Sequence, residues 1–451
     1  MSLETIPATR GAPERPAVVA SRSRRRHRAT DTVPFEFTAA VVGLGYVGLP
    51  TALALHDGGG TVLGIDLSPR RLEAIRDGRV DVLPSDRNRL ERALDDGLVV
   101  TDDTSLLERS AAVIICVPTP IDEHRTPDLG PIRAACSTAV RTAVAGQLIV
   151  LTSTTYAGCT RDLLLTPLEE RGFRVGHDVH VAFSPERIDP GNDRFAHDAV
   201  PRVVGGATPE CLRAACALLS RLAESVHPLP SLESAEMTKL LENTFRAVNI
   251  ALANEFADAC SALGLPVADI IDAAATKPYG FMPFYPGPGV GGHCIPCDPH
   301  YLLWQLRSEH VALPLIEQAM SDIAVRPRRV VERAREVLAD RGRPLSGARI
   351  LVEGVSYKPD VSDLRESPAL EILHRLHAAG SVVGYHDHRF GALTMRDGGV
   401  LTGTTDPSGF GADLVLLHTI HTDADLDWLA EAPSVLDTTY RGPDLPQRIL
   451  L

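Results

Sequence analysis

Cys294 lies in a segment whose composition suits a reactive thiol, Gly289-Val290-Gly291-Gly292-His293-Cys294-Ile295-Pro296-Cys297-Asp298-Pro299. Gly291 and Gly292 carry no side chains, so the backbone or a ligand can come close to the sulfur. His293 is a candidate for stabilising the thiolate, which is the nucleophilic form of cysteine. A nucleophilic thiol combined with a hydride acceptor would oxidise its substrate through a thiohemiacetal and a thioester, and its product would be an acid rather than an aldehyde.

A second sequence pattern predicts that the protein binds a dinucleotide, which would be the hydride acceptor. Gly43-Leu44-Gly45-Tyr46-Val47-Gly48 follows an apolar strand and opens a helix, whose N-terminus would face the phosphates. Asp66 ends the next strand, where a carboxylate accepts hydrogen bonds from the ribose hydroxyls and repels a 2′-phosphate, so the sequence predicts NAD rather than NADP. Arg71 is within reach of the adenosine side. The alternative is a glycine turn of purely structural use.

Thr119 is a further candidate contact near the cofactor. It belongs to the run Cys116-Val117-Pro118-Thr119-Pro120, at the carboxyl end of another predicted strand, where open α/β sheets bind ligands. A rigid turn that ends the strand is the alternative for this residue.

Three polar residues of a long helical segment are candidate helpers of the thiol. Lys239, Asn243 and Arg246 are spaced four and three residues apart and fall roughly on one face of the helix. A lysine there could stabilise an alkoxide or thiohemiacetal oxyanion, or accept the alcohol proton if its pKa is depressed, and Asn243 could donate a second hydrogen bond. The alternative is a solvated helix face.

Cys294 and Cys297 also form a C-x-x-C pair, flanked by His293 and His300. A zinc site of this kind usually needs a second, distant pair of ligands, and a redox dithiol would accompany a thioredoxin-like pattern, which the sequence lacks. The simplest interpretation is a reactive Cys294 beside a structural, buried Cys297, with no metal.

Composition limits the remaining classes of protein. A chain of 451 residues predicts two or three domains, and its net charge of −13 argues against nonspecific binding to nucleic acid or to anionic membranes. Eight scattered cysteines suit reduced thiols in a cytoplasmic enzyme better than a disulfide framework. No long apolar run is present, so neither a membrane span nor a secretory signal is expected. Residues 1–37, including the basic run Arg22–Arg28, are predicted to be a disordered, solvated leader.

Strands and helices then alternate, which predicts parallel, doubly wound sheets. The predicted strands are 38–42, 61–66, 111–117, 147–153, 179–184, 202–205, 349–352, 381–385 and 414–418, and the predicted helices are 49–56, 231–263 and 368–377. The helix over 231–263 carries a continuous apolar stripe, formed by Met237, Leu241, Phe245, Val248, Leu252 and Phe256. We expect this helix to bridge two domains and to carry a dimer contact. The fold class is thus α/β, with two Rossmann-like doubly wound domains joined by a long central helix and a helical middle region.

Motifs spread over residues 38 to 445 resemble those of the UDP-glucose/GDP-mannose dehydrogenase family. They are Gly43 to Gly48, Val117 to Pro120, Ser153-Thr154, Ser184-Pro185-Glu186-Arg187, Lys239 with Asn243, Gly291 to Cys294 with Asp298, Tyr357 to Asp360, and Asp363 to Pro368. The resemblance implies NAD-dependent oxidation of C6 of a nucleotide-sugar to a carboxylate. After the leader over 1–37, it implies an NAD-binding domain over 38–230, a central helical dimerisation region over 231–335 and a nucleotide-sugar-binding domain over 336–451.

The same resemblance implies roles for individual residues. Cys294 resembles the nucleophile, Lys239 the group that stabilises the oxyanion and Asn243 a second donor to it. Asp298 resembles the acid that supports Lys239 and the hydrolytic water, while Thr154 and Glu186 resemble the residues that position water for thioester hydrolysis. The implied cofactor contacts are Gly43, Gly45, Tyr46, Val47, Gly48, Asp66, Arg71, Thr119, Ser153 and Arg365. The implied substrate contacts are Glu186, Arg187, Lys239, Asn243, Tyr285, Gly291 and Lys358.

Simpler interpretations exist for several of these residues. Glu186 could lie in a surface turn, Asp298 could be a helix N-cap, and Lys358 could be a solvated loop charge. Arg365 and Glu366 could form a surface ion pair of little energetic value.

Two departures from the family pattern concern the substrate. Lys277 occupies the region where relatives often have an arginine that reaches the neighbouring subunit's substrate. The segment 281–289 is similar to the branch that acts on UDP-N-acetylhexosamines, especially UDP-GlcNAc, while glucose, ManNAc and a dTDP-sugar stay open because loops change specificity readily. A single-hydride dehydrogenase of the hydroxyacid or 6-phosphogluconate type, and a non-catalytic binding protein, are the competing functional hypotheses.

Overall fold

The structure is a computed structural model that describes residues 35–80, 84–187, 199–396 and 398–451. Most of the predicted leader, residues 1–34, lies outside these ranges. Residues 35–37 do not behave as a leader, because Phe37 is buried and pairs with Ser110 at the sheet of the N-terminal half. The folded part of the chain therefore begins before residue 38.

The N-terminal half is built on an eight-stranded sheet. Its strands are β1 (Ala39–Val42), β2 (Val62–Ile65), β3 (Val99–Thr101), β4 (Ala112–Ile115), β5 (Leu148–Leu151), β6 (His180–Phe183), β7 (Arg202–Gly206) and β8 (Val226–Leu229). Its helices are α1 (Gly48–Asp57), α2 (Pro69–Arg76), α3 (Pro84–Asp95), α4 (Gly130–Thr142), α5 (Thr166–Glu170) and α6 (Pro209–Leu219). Both faces of the sheet are covered, so strand residues are buried on either side, as a doubly wound sheet requires.

The strand order is β3-β2-β1-β4-β5-β6-β7-β8. The direction of winding reverses between β1 and β4, so the loops after these two strands meet at one crevice. The glycine-rich segment follows β1, and the Cys116–Pro120 run follows β4. The prediction of a parallel sheet is confirmed except at one pair, because β6 and β7 run antiparallel.

Helices fill the middle of the chain. They are α7 (Leu232–Leu263), α8 (Val267–Ala275), α9 (Asp298–Ser308) and α10 (Pro314–Ala339). Ser231 caps α7 by accepting a hydrogen bond from the Ser234 N–H at 3.1 Å, and Gly264 ends the helix with a left-handed φ of 68°. The predicted long helix is therefore confirmed to within one residue.

The C-terminal half is a second α/β lobe. Its elements are β9 (Arg349–Glu353), α11 (Pro368–Ala378), β10 (Val382–His386), β11 (Ala392–Thr394), β12 (Val400–Thr402), β13 (Leu414–Leu417), β14 (Val435–Asp437) and β15 (Arg448–Leu450). Five of the strands form a parallel sheet in the order β10-β9-β13-β14-β15, whose winding reverses between β9 and β13. The two Rossmann-like lobes predicted from the sequence are thus confirmed.

The apolar stripe of α7 faces outward. Leu241 is 65% exposed and Phe256 is 55% exposed, whereas the buried face of α7 consists mainly of small and polar residues. Lys239 and Asn243 lie on that buried face, so the interpretation of these residues as a solvated face is wrong. Within the described part of the chain, no helix has the length and the apolar character needed to cross a membrane.

Gly48 is required by the packing of α1 on the sheet. A Cβ added there would lie 1.7 Å from the carbonyl oxygen of Gly43 and 3.2 Å from the Cβ of Cys116. At Gly45 an added Cβ would meet no heavy atom within 4 Å. We therefore expect Gly48→Ala to lower the free energy of unfolding by about 3 kcal/mol, because backbone must move.

Chemical denaturation of the full chain measures this effect, and Gly45→Ala is the matched control. We expect the control to unfold within about 0.5 kcal/mol of the parent protein. Equal stability of the two variants would contradict the close approach of α1 to the loop after β1.

Candidate active site

Cys294 is the exposed member of the eight cysteines, all of which are free thiols and all of which lie in described residues. It opens a turn that leads into α9, where the N–H of Asp298 donates to the Cys294 carbonyl at 2.8 Å. Although Cys294 is exposed, the protein around its thiol raises its pKa by desolvation, and the negative charge of Asp298 raises it further. Lys239, Arg365 and Arg246 lower the pKa of the thiol, so all three cations lie close enough to act on it.

His293 does not supply a charge to the thiol. Burial lowers the pKa of His293, the positive charge of Arg365 lowers it further, and the buried Nε2 atom has no hydrogen-bond partner among the described residues. The proposed stabilisation of the thiolate by His293 is therefore wrong, since a neutral imidazole lacks the charge that this role needs. The cations come instead from α7 and from the loop that precedes α11.

Asp298 and Asn243 connect α9 with α7 directly. The Asn243 side-chain amide donates a short hydrogen bond to Oδ2 of Asp298, and both residues are buried. Burial raises the pKa of Asp298 to about 6, while Lys239 and the hydrogen bond from Asn243 act to lower it. Cys297 occupies the N-cap position of α9 and Asp298 is the first residue of the helix, so the N-cap interpretation of Asp298 is wrong.

The glycines before Cys294 lie against the C-terminal lobe. An added Cβ at Gly291 would come within 2.7 Å of the Glu366 carbonyl oxygen, and one at Gly292 within 2.9 Å of the Tyr357 ring. The Gly292 N–H donates to the Arg365 carbonyl at 2.8 Å. Glu366 has a left-handed φ of 50°, which costs a non-glycine residue about 1 kcal/mol. The loop of the nucleophile candidate is therefore shaped by the lobe on which it rests.

Arg365 contacts three parts of the site. Its guanidinium lies over the Tyr46 ring, with 4.2 Å from Cζ to the ring centroid, and it pairs with Asp363 at 2.6 Å. The interpretation of Arg365 and Glu366 as a surface ion pair is therefore wrong. Because Tyr46 belongs to the glycine-rich segment after β1, Arg365 joins that segment to the loop of Cys294.

The glycine-rich segment has the features of a dinucleotide cradle. Asp66 accepts hydrogen bonds from the Leu44 N–H and the Ser68 N–H, each at 2.9 Å, and Arg71 Nε donates to the Leu44 carbonyl at 2.8 Å. The carboxylate and the guanidinium thus stand at the mouth of the cradle. Gly45 has open space on its Cα, which leaves room for a pyrophosphate to approach the backbone.

Residues with buried hydroxyl groups follow two of the strands beside the cradle. Thr119 follows β4 and is buried, while Ser153 follows β5 and donates to the Val117 carbonyl at 2.7 Å. Thr154 is partly buried, in a loop that Gln305 of α9 holds through two hydrogen bonds to the backbone of Ala157.

Glu236 is a buried residue that the sequence reasoning missed. It accepts from the Thr160 N–H at 2.8 Å and from the Thr160 hydroxyl at 2.6 Å, so it ties the loop after β5 to α7. Its spacing of three residues before Lys239 is the signal that could have identified it.

The remaining predicted contacts vary in their placement. Arg187 pairs with Glu242 of α7 at 2.7 Å, and Glu186 is buried rather than in a surface turn. Lys358 is partly buried beside Tyr357 in the loop after β9. Tyr285 donates to Asp272 at 2.6 Å, outside the group of residues around Cys294. In the described ranges no group of three or more His, Cys, Asp or Glu residues is arranged to hold a metal ion.

The charges around Cys294 lead to a prediction about its reactivity. Removing the negative charge in Asp298→Asn should lower the pKa of the thiol and speed alkylation by iodoacetamide at pH 7, because more thiolate is present. Removing the cation in Lys239→Met should raise the pKa and slow the reaction. A change of one unit in the pKa of the thiol alters the fraction of thiolate at pH 7 about tenfold.

The rate can be followed by intact mass against pH, and Cys294→Ser gives the background from the other thiols. Changes in the same direction in both charge variants would contradict the arrangement of Lys239 and Asp298 around the sulfur.

The sequence matches all three domains of one protein family. Residues 37–223 match the NAD binding domain of the UDP-glucose/GDP-mannose dehydrogenase family. Residues 233–322 match its central domain, and residues 351–440 match its UDP binding domain.

Individual relatives cover most of the chain. The UDP-N-acetyl-D-glucosamine 6-dehydrogenase of Pseudomonas aeruginosa is 33% identical over 392 residues, which are 86% of this chain and 91% of that protein. The UDP-N-acetyl-D-mannosamine dehydrogenase of Salmonella typhi is 33% identical over 77% of this chain and 84% of its own. A solved UDP-D-ManNAc dehydrogenase from Pyrococcus horikoshii superposes with a TM-score of 0.83 at 30% identity, covering 91% of this chain and 98% of that one. The chain therefore belongs to the UDP-glucose/GDP-mannose dehydrogenase family and is an NAD-dependent oxidoreductase of that family.

Proposed function

We propose that this protein oxidises the C6 hydroxyl of a nucleoside-diphosphate sugar to a carboxylate, in a four-electron reaction that passes through a covalent adduct of Cys294. The observation that carries the proposal is the exposed Cys294 thiol beside buried groups of opposite charge, Lys239 and Asp298. A single-hydride dehydrogenase would need no nucleophile at this position.

The residues of the cradle fit NAD. Gly45 leaves the backbone open, while Gly43 and Gly48 let the loop and α1 pack closely against the sheet. The N-terminus of α1 favours the pyrophosphate, and Asp66 suits the ribose hydroxyls. Tyr46, Val47, Arg71, Thr119, Ser153 and Arg365 complete the set of residues that would hold it. When bound, NAD⁺ accepts a hydride from the carbon that is oxidised, and two such acceptors account for the four electrons.

Lys239 and Cys294 act at the aldehyde stage. The Cys294 sulfur adds to the aldehyde carbon and forms the C–S bond of a thiohemiacetal, while the carbonyl oxygen becomes an oxyanion. Lys239 stabilises that oxyanion by its charge, and Asn243 stands beside it as a second donor. Covalent capture retains a reactive aldehyde on the protein and divides a difficult oxidation into easier steps.

Hydrolysis of the thioester completes the reaction. Water adds to the thioester carbon, the C–S bond breaks, and the sulfur leaves to recover a proton, so that the products are the uronate and the Cys294 thiol. Thr154 and Glu186 would position the water, and Asp298 would accept its proton. The pKa of Asp298, raised to about 6, suits proton exchange near neutral pH.

The substrate falls within the nucleotide-sugars. Similarity to enzymes named for UDP-N-acetyl-D-glucosamine and UDP-N-acetyl-D-mannosamine favours a UDP-N-acetylhexosamine, with UDP-glucose and dTDP-glucose as the alternatives. Arg187, Tyr285, Gly291 and Lys358 would line its path between the lobes, together with Glu186. We assign the NAD-binding domain to 35–230, which extends the predicted range of 38–230 to include the buried Phe37. The central region is assigned to 231–335 and the nucleotide-sugar-binding domain to 336–451.

Counting NADH tests the proposal. With each nucleotide-sugar in turn, limiting substrate should yield two NADH per uronate, because both oxidations occur on one enzyme. Cys294→Ser should bind NAD with an unchanged Kd and form no uronate, since the serine hydroxyl does not replace the thiolate.

Uronate can be measured by chromatography and NAD binding by calorimetry. A ratio of one NADH per substrate, or full turnover by Cys294→Ser, would eliminate the covalent route and favour a single-hydride dehydrogenase.

We also propose that the protein is a homodimer that uses the exposed stripe of α7. Leu241, Phe245 and Leu252 are each at least 48% exposed, and Phe245 meets Phe284 edge-on at 5.8 Å between ring centroids. Phe281 and Met282, also exposed, extend the apolar surface beyond the helix. An apolar surface to which several exposed large side chains contribute is typical of an interface.

Sedimentation tests the dimer. Leu241→Asp combined with Leu252→Asp should halve the sedimenting mass, because two carboxylates in an apolar interface oppose association. Val400→Asp is the matched control, since Val400 is 71% exposed on the β11–β12 hairpin. A parent protein that sediments as a monomer would eliminate the dimer.

A further inference from the structure

Glu186 has a buried partner that none of the motifs above includes. Arg202 Nη1 lies 2.6 Å from Glu186 Oε2, and both side chains are almost completely excluded from solvent. The other carboxylate oxygen, Oε1, accepts from the Arg187 N–H at 2.8 Å. Both oxygens of Glu186 are thus held by donors in fixed positions, which defines the plane of the carboxylate.

The antiparallel step in the N-terminal sheet creates this pair. In β6 and β7, Ala182 lies opposite Gly206 and Phe183 opposite Gly205. Continued by three residues, the same register brings Glu186 opposite Arg202, the first residue of β7. Directly opposite residues of an antiparallel pair have Cβ atoms about 5 Å apart, which suits an ion pair. A parallel β7 would have carried Arg202 to the far edge of the sheet.

The pair lies at the edge of the sheet where the site is. Desolvation is the main cause that raises the pKa of Cys116 to about 12, but the charges of Glu186 and Arg202 also act on that thiol, in opposite directions. Cys116 follows β4 and contacts the Thr152 hydroxyl at 3.1 Å. Thr154 follows two residues later, so the ion pair stands near the residues after β4 and β5.

We propose that Arg202 is a positioning residue that orients the Glu186 carboxylate toward the water that hydrolyses the Cys294 thioester. The inference rests on the proposed function. Arg202 acts through Glu186 and has no part in the two hydride transfers, so its loss slows the release of the acid and leaves the earlier steps intact. In such a variant the enzyme accumulates with its acyl group on Cys294.

Rapid mixing separates these steps. Arg202→Gln should show a burst of two NADH per active site at the parent rate. The steady rate of NADH formation that follows should be lower than the parent's by about 100-fold, which is the effect expected when a reacting group is misplaced. Arg202→Lys, which keeps the charge, should recover part of the steady rate. Intact mass of the quenched protein should show the acyl adduct on Cys294.

The matched control is Arg213→Gln, which removes an exposed arginine from an ion pair with Glu210 on α6. Both its burst and its steady rate should equal those of the parent. A burst that falls in parallel with the steady rate in Arg202→Lys, or a steady rate equal to the parent's in Arg202→Gln, would overturn the inference.

A double-mutant cycle covers the case in which Arg202→Gln fails to fold. In a Glu186→Gln background Arg202→Lys should change the steady rate less than twofold, because the carboxylate that it orients is gone. If Arg202→Lys lowered the steady rate as much in the Glu186→Gln background as in the parent protein, the inference would be overturned. Failure of the proposed function looks different: the parent enzyme itself would give one NADH per substrate and no acyl adduct.

Discussion

The contact between Asn243 and Asp298 organises the candidate site. It joins the buried face of α7 to the first residue of α9, and the turn that starts α9 begins at Cys294. Lys239 lies one helical turn before Asn243, so the same contact brings a cation toward the sulfur. A buried carboxylate needs such partners, because an uncompensated charge in the interior costs several kcal/mol.

The central helices and the C-terminal lobe contribute different parts of the site. The central helices supply Lys239, Arg246 and Asp298, whereas the C-terminal lobe supplies Arg365 and the surface on which the glycines before Cys294 rest. Tyr357 and Glu366 leave no room for side chains at Gly291 and Gly292. The position of the sulfur therefore depends on three segments that are far apart in the sequence, and a change in the packing of any one of them would move it.

Much of the fold could be predicted from the sequence, because the spacing of apolar residues and the residues that begin or end helices and strands are local signals. The strand before Gly43 and the start and end of α7 appear within a residue of their predicted limits. The antiparallel β7 could not be predicted, since the direction of a strand depends on its partners in the sheet. The orientation of α7 was ambiguous for a related reason. Its large apolar residues are exposed, whereas its buried face consists mainly of small residues and of the polar residues near the site.

The sequence motifs contain residues that the structure brings together, and they omit residues that act through contacts across the fold. Cys294, Lys239, Asn243 and Asp298 meet as the motifs imply. Glu236 and Arg202 lie outside the motif residues singled out, and only the folded chain shows that one fastens the loop after β5 and the other holds Glu186. His293 failed as a partner of the thiol because burial and Arg365 disfavour its charged form, neither of which is visible in the sequence.

The stacking of Arg365 on Tyr46 has a thermodynamic consequence. One residue touches both the cradle after β1 and, through its carbonyl, the loop of Cys294. Any ligand that shifts Arg365 when it occupies the cradle also alters the free energy of the other loop, and linkage requires the reverse effect to be equally large. Ligand binding in the cradle and ligand binding beside the loop of Cys294 would then be cooperative or antagonistic. The sign depends on which position of Arg365 each ligand prefers.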